Sequence, residues 1–247
     1  MKDPRKPSII YSKMRIMFFA DLENFRGSLK RINSERNINY NKVHFGLTEG
    51  IIKKLNWDKY NPRLIRGYFY TGVYTSQLIN RIKNHKNNIK YYKTSEENKT
   101  RFVQKTERCL EISRQRKKEQ DLEFKNDATC PFIEFKKLPL QFSPSSIIVH
   151  QKGVDVQLAV DLVSHAYQDN YDVAVLCSGD MDLIESLKIV KNLGKKVILV
   201  SHPNNVAQQM LSECDYFYDL SKLNESELNG FSNIKNTELG QYGIKNI

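Results

Sequence analysis

Two aspartates one residue apart, Asp180 and Asp182, follow the apolar run VAVLC (173–177) and a Ser-Gly pair. Carboxylates so placed can cap the helix that follows, and Asp182 with Glu185 has the spacing of a capping box. They are also hard oxygen ligands suited to Mg²⁺ or Mn²⁺. The arrangement recurs along the chain. RIMFFA (15–20) runs into Asp21, with Asn24 three residues on, and IIVHQKG (147–153) runs into Val154 and Asp155 ahead of a helical pattern. Capping explains each case singly and gives no reason for three to share one syntax. Parallel strands end on one edge of a sheet, where open α/β folds form their ligand sites. Carboxylates gathered there repel one another and need a cation or shifted protonation. The pattern predicts a divalent-metal site of Asp21, Asp155, Asp180 and Asp182, and capping stays open at each.

The elements that must position these acids are legible from periodicity. RIMFFA, LIRGYFY (64–70), IIVHQKG, VAVLC and KVILV (196–200) are apolar runs of buried-strand type, and YFYDL (216–220) is a short edge candidate. FIEFKKLPLQF (132–142) carries Pro139, which restricts it to an edge strand or an extended loop. VDVQLAVDLVSHAYQD and MDLIESLKIVKNLGKK have apolar residues at helical spacing, the second closed by Gly194. Residues 103–125 predict a polar helix projecting from the core. Strands apolar throughout, alternating with amphipathic helices, predict an α/β domain with a mostly parallel sheet covered on both faces. Its expected limits are residues 14–222, with a tail at 1–13 and an Asn- and Ser-rich flexible tail from 223 to 247.

The chain has 247 residues, 40% hydrophobic and 27% charged, as in a soluble globular protein. No apolar run approaches the ~20 residues needed to span a bilayer, and the start MKDPRKPSIIYSK lacks a signal-peptide core. The four cysteines form no CxxC pair, so neither a disulfide framework nor a zinc site is expected, and a cytoplasmic location is. The formal charge is +11, concentrated in residues 79–118, where thirteen Lys and Arg stand against four Glu. Tyr91, Tyr92 and Phe102 lie among those charges. Cations with interleaved aromatics can neutralise phosphates and stack on unpaired bases, which makes single-stranded RNA the expected partner. Arg114, Arg116, Lys117 and Lys118, together with Tyr91, Tyr92 and the separate Lys152, are the candidate contacts; the competing reading is a solvated insertion.

No GxGxxG or Walker-type loop follows any strand, so a nucleotide cofactor is not expected. The five histidines are scattered, and no Ser/His/Asp set emerges. FADLENF (19–25), KGVDVQLAVDLVSHAY (152–167), YDVAVLCSGDMDLIESLKIVKNLGKKVILVS (171–201) and CDYFYDL (214–220) resemble the NYN domain of the PIN-like nuclease superfamily. KGVD followed by SGDxD at this spacing is far more specific than a lone DxD. The resemblance implies a Rossmann-like three-layer α/β/α fold, an acidic pocket for divalent metal and, in many members, RNA cleavage. By position, Asp21 is its first-strand acid and Asn24 the companion, Asp155 the KGVD acid, and Asp180 with Asp182 the SGDxD pair. Asp161 matches a helical acid of the family but lies six residues past Asp155, about 240° round the helix, and is secondary, turned to the site's rim or paired with a lysine. Leu183 stands where the family often has Phe, and the basic helical insertion at about 75–130 exceeds what the fold requires. The expected activity is that of a metal-dependent (endo)ribonuclease. The alternatives are a non-catalytic RNA-binding NYN module and, ranked lower, a Toprim-type metal domain, whose first-strand acid is typically Glu.

Overall fold

A computed structural model of the chain describes residues 13–125 and 132–234. In chain order the elements are β1 (Arg15–Asp21), α1 (Leu22–Ile32), β2 (Arg36–Ile38), α2 (Val43–Leu55), β3 (Arg63–Val73), α3 (Ser76–Asn88), α4 (Glu96–Glu123), β4 (Ile133–Pro139) and β5 (Gln141–Ser143). There follow β6 (Ile148–His150), α5 (Val154–Tyr167), β7 (Val173–Cys177), α6 (Ile184–Asn192), β8 (Lys196–Ser201), α7 (Gln208–Glu213), β9 (Tyr216–Asp219), α8 (Glu225–Asn229) and β10 (Ser232–Ile234).

Six strands form one sheet in the order β4-β3-β1-β7-β8-β9, every pair parallel. The alternation of β1 shows why the sheet is covered twice. Ile16, Phe18 and Ala20 enter one core with α1, α2 and α8, while Met17 and Phe19 enter the other with α5, α6 and α7. Both faces of the strand are buried, so it must be apolar at every position. The result is the Rossmann-like three-layer α/β/α arrangement. Among the described residues no helix is long and apolar enough to cross a membrane.

Three expectations change. IIVHQKG contributes only the three residues of β6, which pairs antiparallel with β5 outside the main sheet. Its Ile147 turns into a third small core with Leu78 and Ile82 of α3, Leu110 of α4 and Phe142, while Ile148 faces solvent. A strand with one face wet is no interior strand of a parallel sheet. The helix of the basic insertion starts at Glu96, runs 28 residues, and packs along α3 on this third core rather than projecting. From Asn224 to Ile234 the chain is folded, not tail-like: Asn224 and Glu227 close a capping box on α8, Phe231 is buried, and β10 pairs with β2. Apolar residues spaced as Leu228 and Phe231 are too sparse to mark that segment in the sequence. The expected tails at 1–12 and 235–247, and Cys130, lie outside the described residues.

Candidate active site

The sheet order reverses between β1 and β7. In an open α/β sheet the two crossovers there leave in opposite directions, opening a crevice at the strand ends. Ala20 stands beside Cys177 in the register, so Asp21 closes one strand and Ser178-Gly179-Asp180 continues the other at that crevice. Asp21 is the N-cap of α1. One of its oxygens accepts from the backbone N–H groups of Glu23 (2.9 Å) and Asn24 (3.2 Å), and the other accepts from the Asn24 side-chain amide at 2.9 Å. The capping alternative is therefore realised here, and Asn24 fixes Asp21 through its amide. Yet Asp21 is only 4% exposed and has no cationic partner among the described residues. Burial pushes its carboxyl above the usual range, against the lowering effect of the Asn24 and Glu23 hydrogen bonds.

That shift has a consequence for stability. The folded state holds the Asp21 proton to higher pH than the unfolded chain, so native protein binds more protons across the interval between the two pKa values. Stability from this group is present below the interval and is lost as pH rises through it. Asp21→Asn keeps the cap, because Asn and Asp cap equally well, and removes the buried charge. In EDTA its thermal midpoint is expected to match or exceed that of wild type, the gap widening as pH rises from about 4 to 7. Asp21→Ala is expected to lose about 0.5–2 kcal/mol with the cap. A cap-sized loss in Asp21→Asn at every pH contradicts this account.

Asp180 also caps: its Oδ1 accepts from the Asp182 N–H (3.1 Å) at the head of a 3₁₀ turn, Met181–Leu183, that leads into α6. The Asp182 side chain is exposed. Asp155 is half-buried in the first turn of α5, on a helix and not at the end of a sheet strand. Gly153 at the N-cap has φ +80°, the left-handed conformation that the KGVD glycine supplies. Asp161 accepts from the Tyr70 hydroxyl (3.0 Å) and the Gln157 amide (2.9 Å), and Tyr70 stands in register beside Asp21. Asp161 is therefore bonded to Tyr70; among the described residues it forms no salt bridge with a lysine, although its charge acts on Lys136. Burial, and then the Asp161 charge, push the Tyr70 phenol up.

Among the described residues no three His, Cys, Asp or Glu side chains stand together as a ready metal cage. Asp21 and Asp180 are bound to their own helix starts, and like charges without a cation have no reason to converge. The donor set nonetheless fits a hard cation. Mg²⁺ keeps several waters and uses one or two protein carboxylates, and Asp21 is a buried carboxylate with no cationic partner among the described residues.

Next to this edge, at the end of β3, lies a cleft of about 770 Å³ lined by Glu23, Arg26, Tyr40, Tyr74, Arg116 and Gln151 among others. Of the proposed RNA contacts only Arg116 lines it. Lys117 pairs with Asp121 at 2.5 Å, while Arg114, Lys118 and Lys152 are exposed. Tyr91 is 73% exposed with Lys90 over its ring, and the Tyr92 hydroxyl meets His85. Both tyrosines lie near the start of α4, about 30 Å of helix from Arg116. Phe102 packs on the third core. Arg26, Tyr40 and Tyr74 were not candidates from the sequence; Tyr74 directly follows β3, which runs three residues past the apolar run 64–70, at a strand end where ligand-binding residues collect.

The NYN domain profile matches residues 15–223. The chain belongs to the NYN domain family. This is a PIN-like family associated with ribonuclease activity, with divalent metal and with RNA as substrate. The match spans the α/β unit of the NYN domain from β1 to β9, which removes the Toprim alternative. A crystal structure of a protein of unknown function from Vibrio parahaemolyticus is similar at 14% identity and a TM-score of 0.47, covering 90% of this chain and 97% of that one. No curated protein matches the chain.

Proposed function

We propose that this NYN domain is a metal-dependent ribonuclease that hydrolyses phosphodiester bonds at the β1/β7 crevice. The observation that carries this is Asp21: a buried carboxylate with no cationic side-chain partner among the described residues, at the point where the sheet order reverses, with Asp180 three residues past the end of the adjoining strand. Asp21 and Asp180 would hold Mg²⁺ or Mn²⁺, with Asp155 and Asp182 contributing directly or through water. Such an ion, when bound, supplies Lewis acidity that acidifies water and neutralises charge on the phosphate. Asn24 sets the Asp21 carboxylate through its amide, and the two backbone N–H groups of the cap hold the opposite oxygen. Asp182 and Asp155 can orient an attacking water by accepting its proton. Lys152, exposed just ahead of α5, can meet a phosphate of the scissile strand.

A second reading, a non-catalytic RNA-binding module, is favoured by the separation of the acids and by the caps at Asp21 and Asp180. Incubation of end-labelled single-stranded RNA with Mn²⁺ or with EDTA separates the two. Cleavage with Mn²⁺ that EDTA abolishes is expected; intact RNA under both conditions, with binding retained, selects the module.

A further inference from the structure

We propose that the cleft between α1 and the C-terminal end of α4 is a pocket for one unpaired nucleotide of the RNA strand, held by Gln151 and Arg116. The inference rests on the RNA reading above and adds a substrate subsite built by the insertion that the family fold does not require. The cleft adjoins the first turn of α1, the helix that Asp21 caps, so a nucleotide in it belongs to the strand being presented to the acids.

The pocket is built rather than incidental. The Gly72 N–H donates to Gln151 Oε1 at 3.2 Å, and the Gly72 carbonyl accepts from Gln120 Nε2 at 2.9 Å. The Tyr74 N–H donates to Gln120 Oε1 at 2.9 Å. Two glutamines, one from the insertion helix and one from the loop before α5, thus clasp the end of β3. On the opposite wall the Arg26 guanidinium donates to Glu23, Tyr40 and Glu123, the last at 2.6 Å, which ties α1 to α4.

This bonding dictates what the pocket offers. A backbone N–H can only donate, so the Gln151 atom facing Gly72 is its oxygen, and its NH₂ is left with donors alone, unpartnered among the described residues. Tyr74 supplies a half-buried ring. Arg116 is exposed at the rim, and among the described residues its one salt bridge is a 3.4 Å pair to Glu119 on its own helix. Arg26 is neutralised by two glutamates and the buried Arg36 pairs with Glu225, so Arg116 and Lys30 are the exposed cations of the cleft among the described residues. Amide donors and a ring inside, with a cation at the mouth, match a base or ribose carrying acceptors, its phosphate outside. Paired bases in a duplex do not offer one nucleotide in this way.

Gln151→Glu preserves the acceptor for the Gly72 N–H and replaces the donors by a negative charge; combined with Arg116→Gln it alters the pocket without removing its clasp. Lys54→Gln with Lys59→Gln, exposed at the end of α2 and just beyond it, changes the net charge by the same amount outside both the cleft and the basic window. Binding of a fluorescein-labelled ten-nucleotide single-stranded RNA, read by anisotropy in EDTA so that nothing is cut, is expected to weaken about tenfold or more in the first pair. The second pair is expected to weaken it less than about threefold, with matching circular dichroism and melting for both. Equal losses in the two pairs, or wild-type affinity in the cleft pair, overturn the pocket and leave the RNA reading standing. Absence of RNA binding by the wild-type protein overturns both.

Discussion

Asp21→Asn or Asp180→Asn is expected to reduce Mn²⁺-dependent RNA cleavage about a thousandfold, with RNA binding in EDTA changed by less than about twofold. The size follows from the stabilisation of phosphate charge that a bound cation supplies, several kcal/mol, at about 1.4 kcal/mol per tenfold in rate. Asn is the informative substitution at both positions. It can accept the same backbone N–H groups, so α1 and the turn at Met181–Leu183 keep their caps. What it loses is the charge that would draw a cation into the crevice. Calorimetric titration with Mn²⁺ should lose its heat in the same two variants. Asp161→Asn should lower cleavage far less, because that carboxylate acts on the rim through Tyr70. Full activity in Asp180→Asn with the fold intact would remove the SGDxD pair from the chemistry and leave it as a cap.

Gly179→Ala is expected to be the most destabilising single methyl in the chain's motifs. A Cβ at Gly179 would stand 1.8 Å from the carbonyl oxygen of Asn205 and 2.7 Å from its carbon. The obstacle is backbone, held in place by the Ala207 N–H donating to the Gly179 carbonyl and by Asn205 bonding to Ser28 of α1. Neither side can yield without moving the loop after β8 off the site. A cost of about 3 kcal/mol or more is expected, at the upper end for overpacking, or roughly 10 °C in midpoint for a domain of this size. Gly153→Ala and Gly194→Ala meet no close atoms but sit at φ +80° and +77°, so each should cost only about 1–2 kcal/mol. Melting of the three variants by circular dichroism gives the order; a Gly179→Ala protein as stable as the other two refutes the close-approach account.

The glycine of SGDxD shows where local reading stops. In sequence a Ser-Gly pair after a strand suggests turn geometry, yet Gly179 does not adopt a positive φ; it is required by a loop twenty-six residues downstream. The glycine of KGVD is the opposite case, set by its own backbone at the head of α5.

The sequence by itself determined the elements whose cause is local. Doubly buried strands had to be apolar at every position, which marked β1, β3, β7 and β8. An acid closing β1 and another following β7 could meet the free N–H groups of the next helical turn, a reading the sequence left open and the structure realises at Asp21 and Asp180. The motifs KGVD and SGDxD carried the family. Only the tertiary structure decided which strand ends are neighbours, since parallel pairing depends on crossovers and on the burial of whole faces, not on any spacing within a strand. It put β1 beside β7, moved β6 out of the sheet so that Asp155 arrives on a helix, and turned Asp161 to Tyr70. It also brought Gln120 and Gln151, thirty-one residues apart, to the two backbone groups of Gly72. Those bonds join a basic helix to the edge that carries the acids, and a hydrogen bond between such distant segments leaves no periodicity in the chain from which it could be read.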